Sequence, residues 1–407
     1  MHAIRSFSLV SPTATAVTYA MMVVLVIAAL FTLRSRRSVV QAGCCAGVLL
    51  GGAVLVFNVW PKPFPDSIPV SVYASATGAA FVLAAAVVGR GKRIILALLA
   101  LAAVADSYFA ANVTYQQYPT VGSLYPVAVT QEMTLQEFQQ TTTPPVLYGR
   151  EVGALVTLPA PPMRDALVYV PPAYFRGERL PVLVLLAGSP GSPHGWFTDG
   201  QADQALDDFQ RKHGGLAPIV VSADGTGSTT GNPACVDGPE LKVQTYLSKE
   251  LPDLIRTTFA VNMDQRTWTI GGLSYGGTCS LQVIANHPTA YGAFLDISGE
   301  PEPTLGDHEK TVEALFGGDE AAYQAVNPET LLRQAQGSDT YVGVAGRFIA
   351  GDRDEMSTAA LPKLHELAQA AGMDTTYQTL PGGHSYAVWR MALRQNLDFV
   401  AQRGGLL

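Results

Sequence analysis

Four long apolar runs fill most of the first 115 residues, and no other feature limits the fold of this chain as strongly. They cover roughly residues 15–33, 39–60, 69–88 and 94–111. A helix that crosses a bilayer needs about 20 mostly apolar residues, and each run is near that length. None contains Lys or Arg, and a single acid, Asp106, lies near the end of the last. A buried core helix explains one such run, but four in succession read as a four-helix transmembrane region. A secretory signal peptide accounts poorly for the first run, because three more follow it.

The short loops set the expected orientation. "RSRR" (34–37) joins the first two runs and "RGKR" (90–93) the last two, whereas "PKPFPDSIP" between them is nearly neutral. Positive loops stay on the cytoplasmic side. Both ends of this region, and everything after it, are then expected to be extracytoplasmic in a multi-pass plasma-membrane protein. Trp60, Tyr108 and Tyr115 sit near run ends, where interfacial aromatics belong. Gly43, Gly47, Gly51 and Gly52 put small residues four apart on one helix face, a spacing that allows close helix packing. The runs carry no row of charges of the kind a transport path uses.

Charge divides the chain in the same place. Residues 1–115 hold eight basic against two acidic residues, a net +6, and the whole chain is −7, so the remainder carries −13. An acidic second part argues against nucleic acid as a partner, which would call for a basic face. Residues 116–145 are polar and end in "TTTPP", and they read as a linker that spaces a second domain over 146–407 from the membrane region.

In that domain short β-type runs alternate with helical patterns. The runs are at 166–172, 181–188, 217–225, 267–272, 293–299, 346–351 and 375–383, with helices expected over 239–258, 275–287, 308–335, 356–371 and 384–402. Alternation of this kind predicts a mostly parallel sheet covered by helices on both faces, and the continuously apolar middle runs fit strands buried on both sides. Residues 150–160 read as an antiparallel edge strand.

Function in such a sheet collects where strands end. "TIGGLSYGG" is a strand running through Gly-x-Ser-x-Gly into a helix, the pattern that exposes a serine nucleophile on a tight turn, here Ser274. A serine hydroxyl needs a base to take its proton. Of seven histidines, only His384, in "LPGGHSYAVW", follows the end of a strand late in the chain. An acid must orient it. "FIAGDRDE" offers Asp354, with Asp352 as the rival, and serine, acid, histidine is the α/β-hydrolase chain order. Asp296, one strand earlier, reads as structural or substrate-facing. Backbone N–H donors for a developing oxyanion are expected from Tyr275, next to the serine, and from Ser189 in "LLAGSPGS"; Pro190 has no N–H to give.

"LLAGSPGS", "GGLSYGG", "AGDRDE" and "PGGHSYAVW", in this order and spacing, resemble the putative-esterase family of α/β-hydrolases, which includes esterase D, the feruloyl esterases and the secreted mycolyltransferases of actinobacteria. The resemblance covers roughly 146–407. It implies the α/β-hydrolase fold, a triad of Ser274, Asp354 and His384, cleavage or transfer of carboxylic esters, and neither metal nor organic cofactor. The mycolyltransferases use glutamate as the triad acid, so trehalose mycolylation does not carry over to this chain. Hydrolase and acyltransferase share an acyl-enzyme and differ in whether water or an alcohol attacks it.

Cys44 and Cys45 lie in the second apolar run and read as packing residues. Cys235 and Cys279 are the only pair in the second domain, and an oxidising compartment permits a disulfide between them. The reading is a membrane-anchored serine esterase with its catalytic domain outside, acting on membrane lipids or envelope-linked esters. A serine peptidase and a non-catalytic binding domain on a membrane scaffold are the other classes that use this fold.

Overall fold

The structure, a computed structural model, describes residues 2–60, 62–63, 67–89 and 92–407. The chain divides into two compact units, Met1–Pro126 and Val127–Leu407.

The first unit is built on four helices, α1 (Pro12–Thr32), α2 (Arg36–Val54, continued by a π-helical turn Leu55–Val59), α3 (Val70–Val88) and α4 (Arg93–Tyr115). All four are long and apolar enough to cross a membrane. Small residues mark where they pack: Ala29, Ala42, Ala79, Ala85, Ala100 and Ala103 are buried together with Val82 and Leu96. Large apolar residues such as Phe31, Val48, Val87, Ile94 and Leu101 point outward. This is the reverse of a water-soluble bundle and suits a surface covered by lipid.

Gly43, Gly47 and Gly51 have no neighbour within 4 Å of a Cβ built on them, so this face of α2 packs against nothing in the described chain. The "RGKR" loop lies partly outside the described residues, as does part of "PKPFPDSIP".

The second unit holds a nine-stranded sheet. Its strands are β1 (Thr130–Thr134), β2 (Gly153–Leu158), β3 (Ala166–Val170), β4 (Val182–Leu186), β5 (Ile219–Ala223), β6 (Thr269–Leu273), β7 (Ala293–Ile297), β8 (Ala345–Gly351) and β9 (Asp374–Leu380). The order across the sheet is β1-β2-β3-β5-β4-β6-β7-β8-β9. Only β3 runs against the others: its pairings with β2 and β5 are antiparallel and the rest are parallel.

The central strands bury both faces. Val182, Val184 and Leu186 of β4 enter one core layer, and Leu183 and Leu185 the opposite one. Helices α7 (Leu251–Thr258), α8 (Tyr275–Asn286) and α12 (Glu355–Ala370) cover the first face; α6 (Ala202–Lys212) and α13 (Tyr386–Arg403) cover the second. This is the mostly parallel, doubly covered sheet expected from the alternation of strand and helix patterns.

Two expectations need correction. Residues 116–145 are not a linker throughout, and the units meet at 126/127 rather than at 115 and 146. Residues 130–134 form β1, in parallel register with β2 from Thr130↔Gly153 to Thr134↔Thr157. A helix, α5 (Leu135–Gln140), follows, closed by a Thr134–Glu137 capping box, and buries Phe138 in the core. The strand was hidden because it is an edge: only Thr130 of its five residues is buried, so no apolar run marks it. Residues 117–124 fold back on the first unit, where Leu9 N–H donates to Pro119 O and Val121 N–H to Phe7 O.

For the same reason β2 is not an edge strand. It pairs antiparallel with β3, as the sequence suggested, but β1 covers its other side. The helical pattern over 308–335 resolves into three short helices, α9 (His308–Phe316), α10 (Glu320–Gln324) and α11 (Pro328–Gln334), broken at Gly317–Gly318 and before Pro328.

Candidate active site

The register of the sheet brings the ends of β6, β8 and β9 together. Leu273 is level with Ile297 of β7, Ile297 with Ile349 of β8, and Gly351 with Leu380 of β9. The residues that follow these ends therefore share one edge, and they include Ser274, Asp352, Asp354 and His384.

Ser274 has φ 55° and ψ −123°, a conformation that L-residues rarely adopt. Neighbours hold it there. Its N–H donates to Ile297 O at 2.8 Å, and its carbonyl accepts from Gly277 and Thr278 at the start of α8. Gly272 and Gly276 make the turn feasible, because a Cβ on the first would strike the backbone of Gly276 and one on the second the carbonyl of Leu186. Gly188 lets the next loop close in: a Cβ there would lie 3.3 Å from Ser274 Cβ. Backbone strain over-determined in this way is typical of functional positions.

Asp354 begins α12, and its Oδ2 lies 2.8 Å from His384 Nδ1, which donates to it. Its side chain is only 3% exposed. Burial pushes this carboxyl up, but the hydrogen bond and the charge of His384 outweigh burial and hold it below the usual carboxylate range. Asp352 faces the histidine's loop instead: its Oδ1 accepts from Gly382 N–H at 2.8 Å. The two acids that sequence alone leaves as rivals thus have separate partners. Trp389 packs against the imidazole in a T-shaped arrangement, with centroids 5.1 Å apart.

The backbone N–H groups of Ser189 and Tyr275 donate to no protein acceptor among the described residues. Tyr275 is anchored by its side chain, with Oη donating to Gly225 O at 2.7 Å and accepting from Cys235 N–H at 3.0 Å. Cys235 and Cys279 form a disulfide with Cα atoms 5.4 Å apart. Cys235 O also accepts from Gln244 and Gln282. The loop after β5 is thereby pinned to the helix that Ser274 precedes. Gln282, Arg164 and Asp224 give no signal in the sequence, because their partners are distant in the chain, and Gln244 gives none because nothing local marks the loop carbonyl it binds.

Asp296 is buried in β7 beside Gly277 and Gly299, and among the described residues neither of its carboxyl oxygens has a hydrogen-bond partner. Burial pushes its carboxyl up to about 7, and the nearby Gly299 N–H only softens the shift. The folded chain therefore keeps a proton that an unfolded chain loses near pH 4, and the contribution of this carboxyl to stability falls as pH rises from about 4 to about 7. Asp296→Asn should be more stable than wild type at pH 8, by on the order of 1 to 4 kcal/mol, and close to it at pH 4. Denaturant melts at the two pH values measure this; a difference that does not change with pH would contradict it. Among the described residues no cluster of three or more His, Cys, Asp or Glu is arranged to hold a metal.

A mostly parallel sheet, a strained serine between strand and helix, and a buried Asp–His pair after later strands define an α/β-hydrolase. Residues 162–400 match the family described as Putative esterase, and the chain belongs to that family. Its class is serine ester hydrolase. An uncharacterized protein of Corynebacterium glutamicum is 51% identical over 388 residues, covering 92% of this chain and 91% of that one. The uncovered part is too short to contain four helices, so the likeness runs through both units. Among solved structures, an S-formylglutathione hydrolase from Agrobacterium tumefaciens has a TM-score of 0.52 at 19% identity, covering 64% of this chain and 98% of that one. A ferulic acid esterase has 0.51 at 20%, covering 59% and 92%. At such identities these two establish the fold.

Proposed function

We propose that this chain is a membrane-anchored serine esterase whose catalytic unit lies outside the cytoplasm, with Ser274, His384 and Asp354 as its triad. The observation that carries the reading is the 2.8 Å His384–Asp354 contact at the sheet edge where Ser274 stands on its strained turn. Asp354 fixes the tautomer with Nδ1 protonated, which leaves Nε2 to act as base. His384 takes the Ser274 Oγ proton while Oγ bonds to the ester carbonyl carbon. The N–H groups of Tyr275 and Ser189 bind the oxyanion so formed. His384 then gives its proton to the departing alcohol, leaving an acyl-serine. Water attacks the acyl-serine by the same route in reverse, and serine and free acid result.

The four apolar helices and the basic 34–37 loop support the outward placement. A tethered esterase meets amphiphilic esters first, so lipid- or envelope-linked substrates, such as acyl or mycolyl glycolipids or aminoacyl phospholipids, fit better than free metabolites. If the acceptor is an alcohol rather than water, the same acyl-serine makes the enzyme an acyltransferase.

Two measurements test this reading. The full chain in detergent should hydrolyse p-nitrophenyl esters, with any transfer to added alcohols visible as a second product; a folded chain without ester turnover would overturn the esterase. Protease added to intact spheroplasts should digest residues 127–407, whereas digestion only after lysis would overturn the placement.

A further inference from the structure

The loop that carries Ser189 is held largely from outside. Gly191 N–H donates to Thr229 O at 2.8 Å, and Ser189 Oγ donates to Gly231 O at 2.9 Å. The loop that receives these bonds is organised by Asp224, at the end of β5, whose Oδ1 accepts from Thr226 N–H at 3.0 Å and Gly227 N–H at 3.1 Å. Arg164, in the turn before β3, binds both structures. Its Nη2 meets Asp224 Oδ1 at 2.7 Å, and its Nε and backbone N–H meet Oδ2, each at 3.0 Å. Nη2 also donates to Thr226 Oγ1 at 2.7 Å, and Nη1 donates to Gly191 O at 3.1 Å.

A pair with the Asp224 side chain fully buried gains little net stability, because desolvating the charges offsets their attraction. What it fixes is position. One planar guanidinium joins the segment before β3, the loop after β5 and the loop after β4. Asp224 stays ionised for this role: burial pushes its carboxyl up, but Arg164 and the surrounding N–H donors hold it below the usual range.

We propose that Arg164, with Asp224, is a positioning residue for the ester reaction, setting where the Ser189 N–H stands over Ser274. This rests on the esterase reading above. An oxyanion donor works only within about 2.7–3.1 Å of the charge it stabilises, so a small displacement of the loop costs rate and leaves ground-state binding alone. Lysine does not replace the fork, since it is a point charge that cannot span all three segments.

The test uses Arg164→Met and Arg164→Lys in the full-length chain. Expected losses in kcat are about 10- to 100-fold for Met and smaller for Lys, with KM for a p-nitrophenyl ester within about twofold. Affinity for a boronic-acid transition-state analogue should fall in step with kcat/KM. Amide exchange should quicken over 187–192 and 226–231 and stay unchanged over 275–286. The lysine variant keeps the charge facing Asp224, so it reports even if the methionine variant fails to fold. Unchanged exchange in the two loops, or faster exchange with kcat and analogue affinity unchanged, overturns the proposal, as does a rise in KM at constant kcat. If wild type turns over no ester, the esterase reading has failed, and the exchange comparison still decides whether Arg164 holds the loop.

Discussion

Ser274→Ala is expected to lower kcat/KM for ester hydrolysis by about 10⁵- to 10⁶-fold, the scale on which triad serines are felt. Without Oγ no acyl-enzyme forms, and what remains is the rate that the oxyanion donors and binding supply on their own. The loss should be chemical rather than structural. The Ser274 side chain caps no helix N–H, and its backbone bonds to Ile297, Gly277 and Thr278 are independent of the hydroxyl. Alanine meets the same steric cost at φ 55° as serine, since both carry a Cβ. The melting temperature should thus stay close to that of wild type, so that the kinetic loss can be read directly. Activity within tenfold of wild type would remove Ser274 from the mechanism.

Asp354→Asn is expected to cost about 10⁴-fold in kcat, and Asp352→Asn less than about threefold. The two acids lie two residues apart but do different things. Asp354 accepts the Nδ1 proton of His384, and an amide there can present N–H instead of oxygen, which favours the unproductive tautomer. Asn still caps a helix well, so the first turn of α12 should survive the change. Asp352 accepts one hydrogen bond from Gly382 N–H, and Asn keeps an oxygen for it. The acid-side linkage points the same way. The folded Asp354 carboxyl sits below its unfolded value, so its pair with His384 stabilises the fold above the unfolded pKa, and that contribution is lost as pH falls through the folded one. Equal effects of the two substitutions, or a larger effect at Asp352, would contradict the assignment.

What the sequence made legible follows from how each feature is encoded. The four apolar helices are readable because a bilayer demands a long uniform stretch of local composition. Ser274, Asp354 and His384 are readable because each follows the end of a β-type run, two of them beside glycines, and register then aligns those ends. The sequence favours Asp354 over Asp352 but leaves both open, since which carboxylate meets His384 depends on the direction in which each leaves the turn. β1 was missed because an exposed edge strand has no apolar signature. The Arg164–Asp224 pair was missed because its partners are 60 residues apart and nothing local marks either of them. Cys235 and Cys279 stood out only as the sole pair in their domain, and the fold places them where the loop after β5 crosses α8.

The most direct test of the account is the mass of the protein after reaction with a fluorophosphonate. The full-length wild-type chain in detergent should gain a single adduct, on the peptide containing Ser274, and Ser274→Ala should gain none. A folded wild-type chain that gains no adduct, or an adduct that persists in Ser274→Ala, would contradict the central claim.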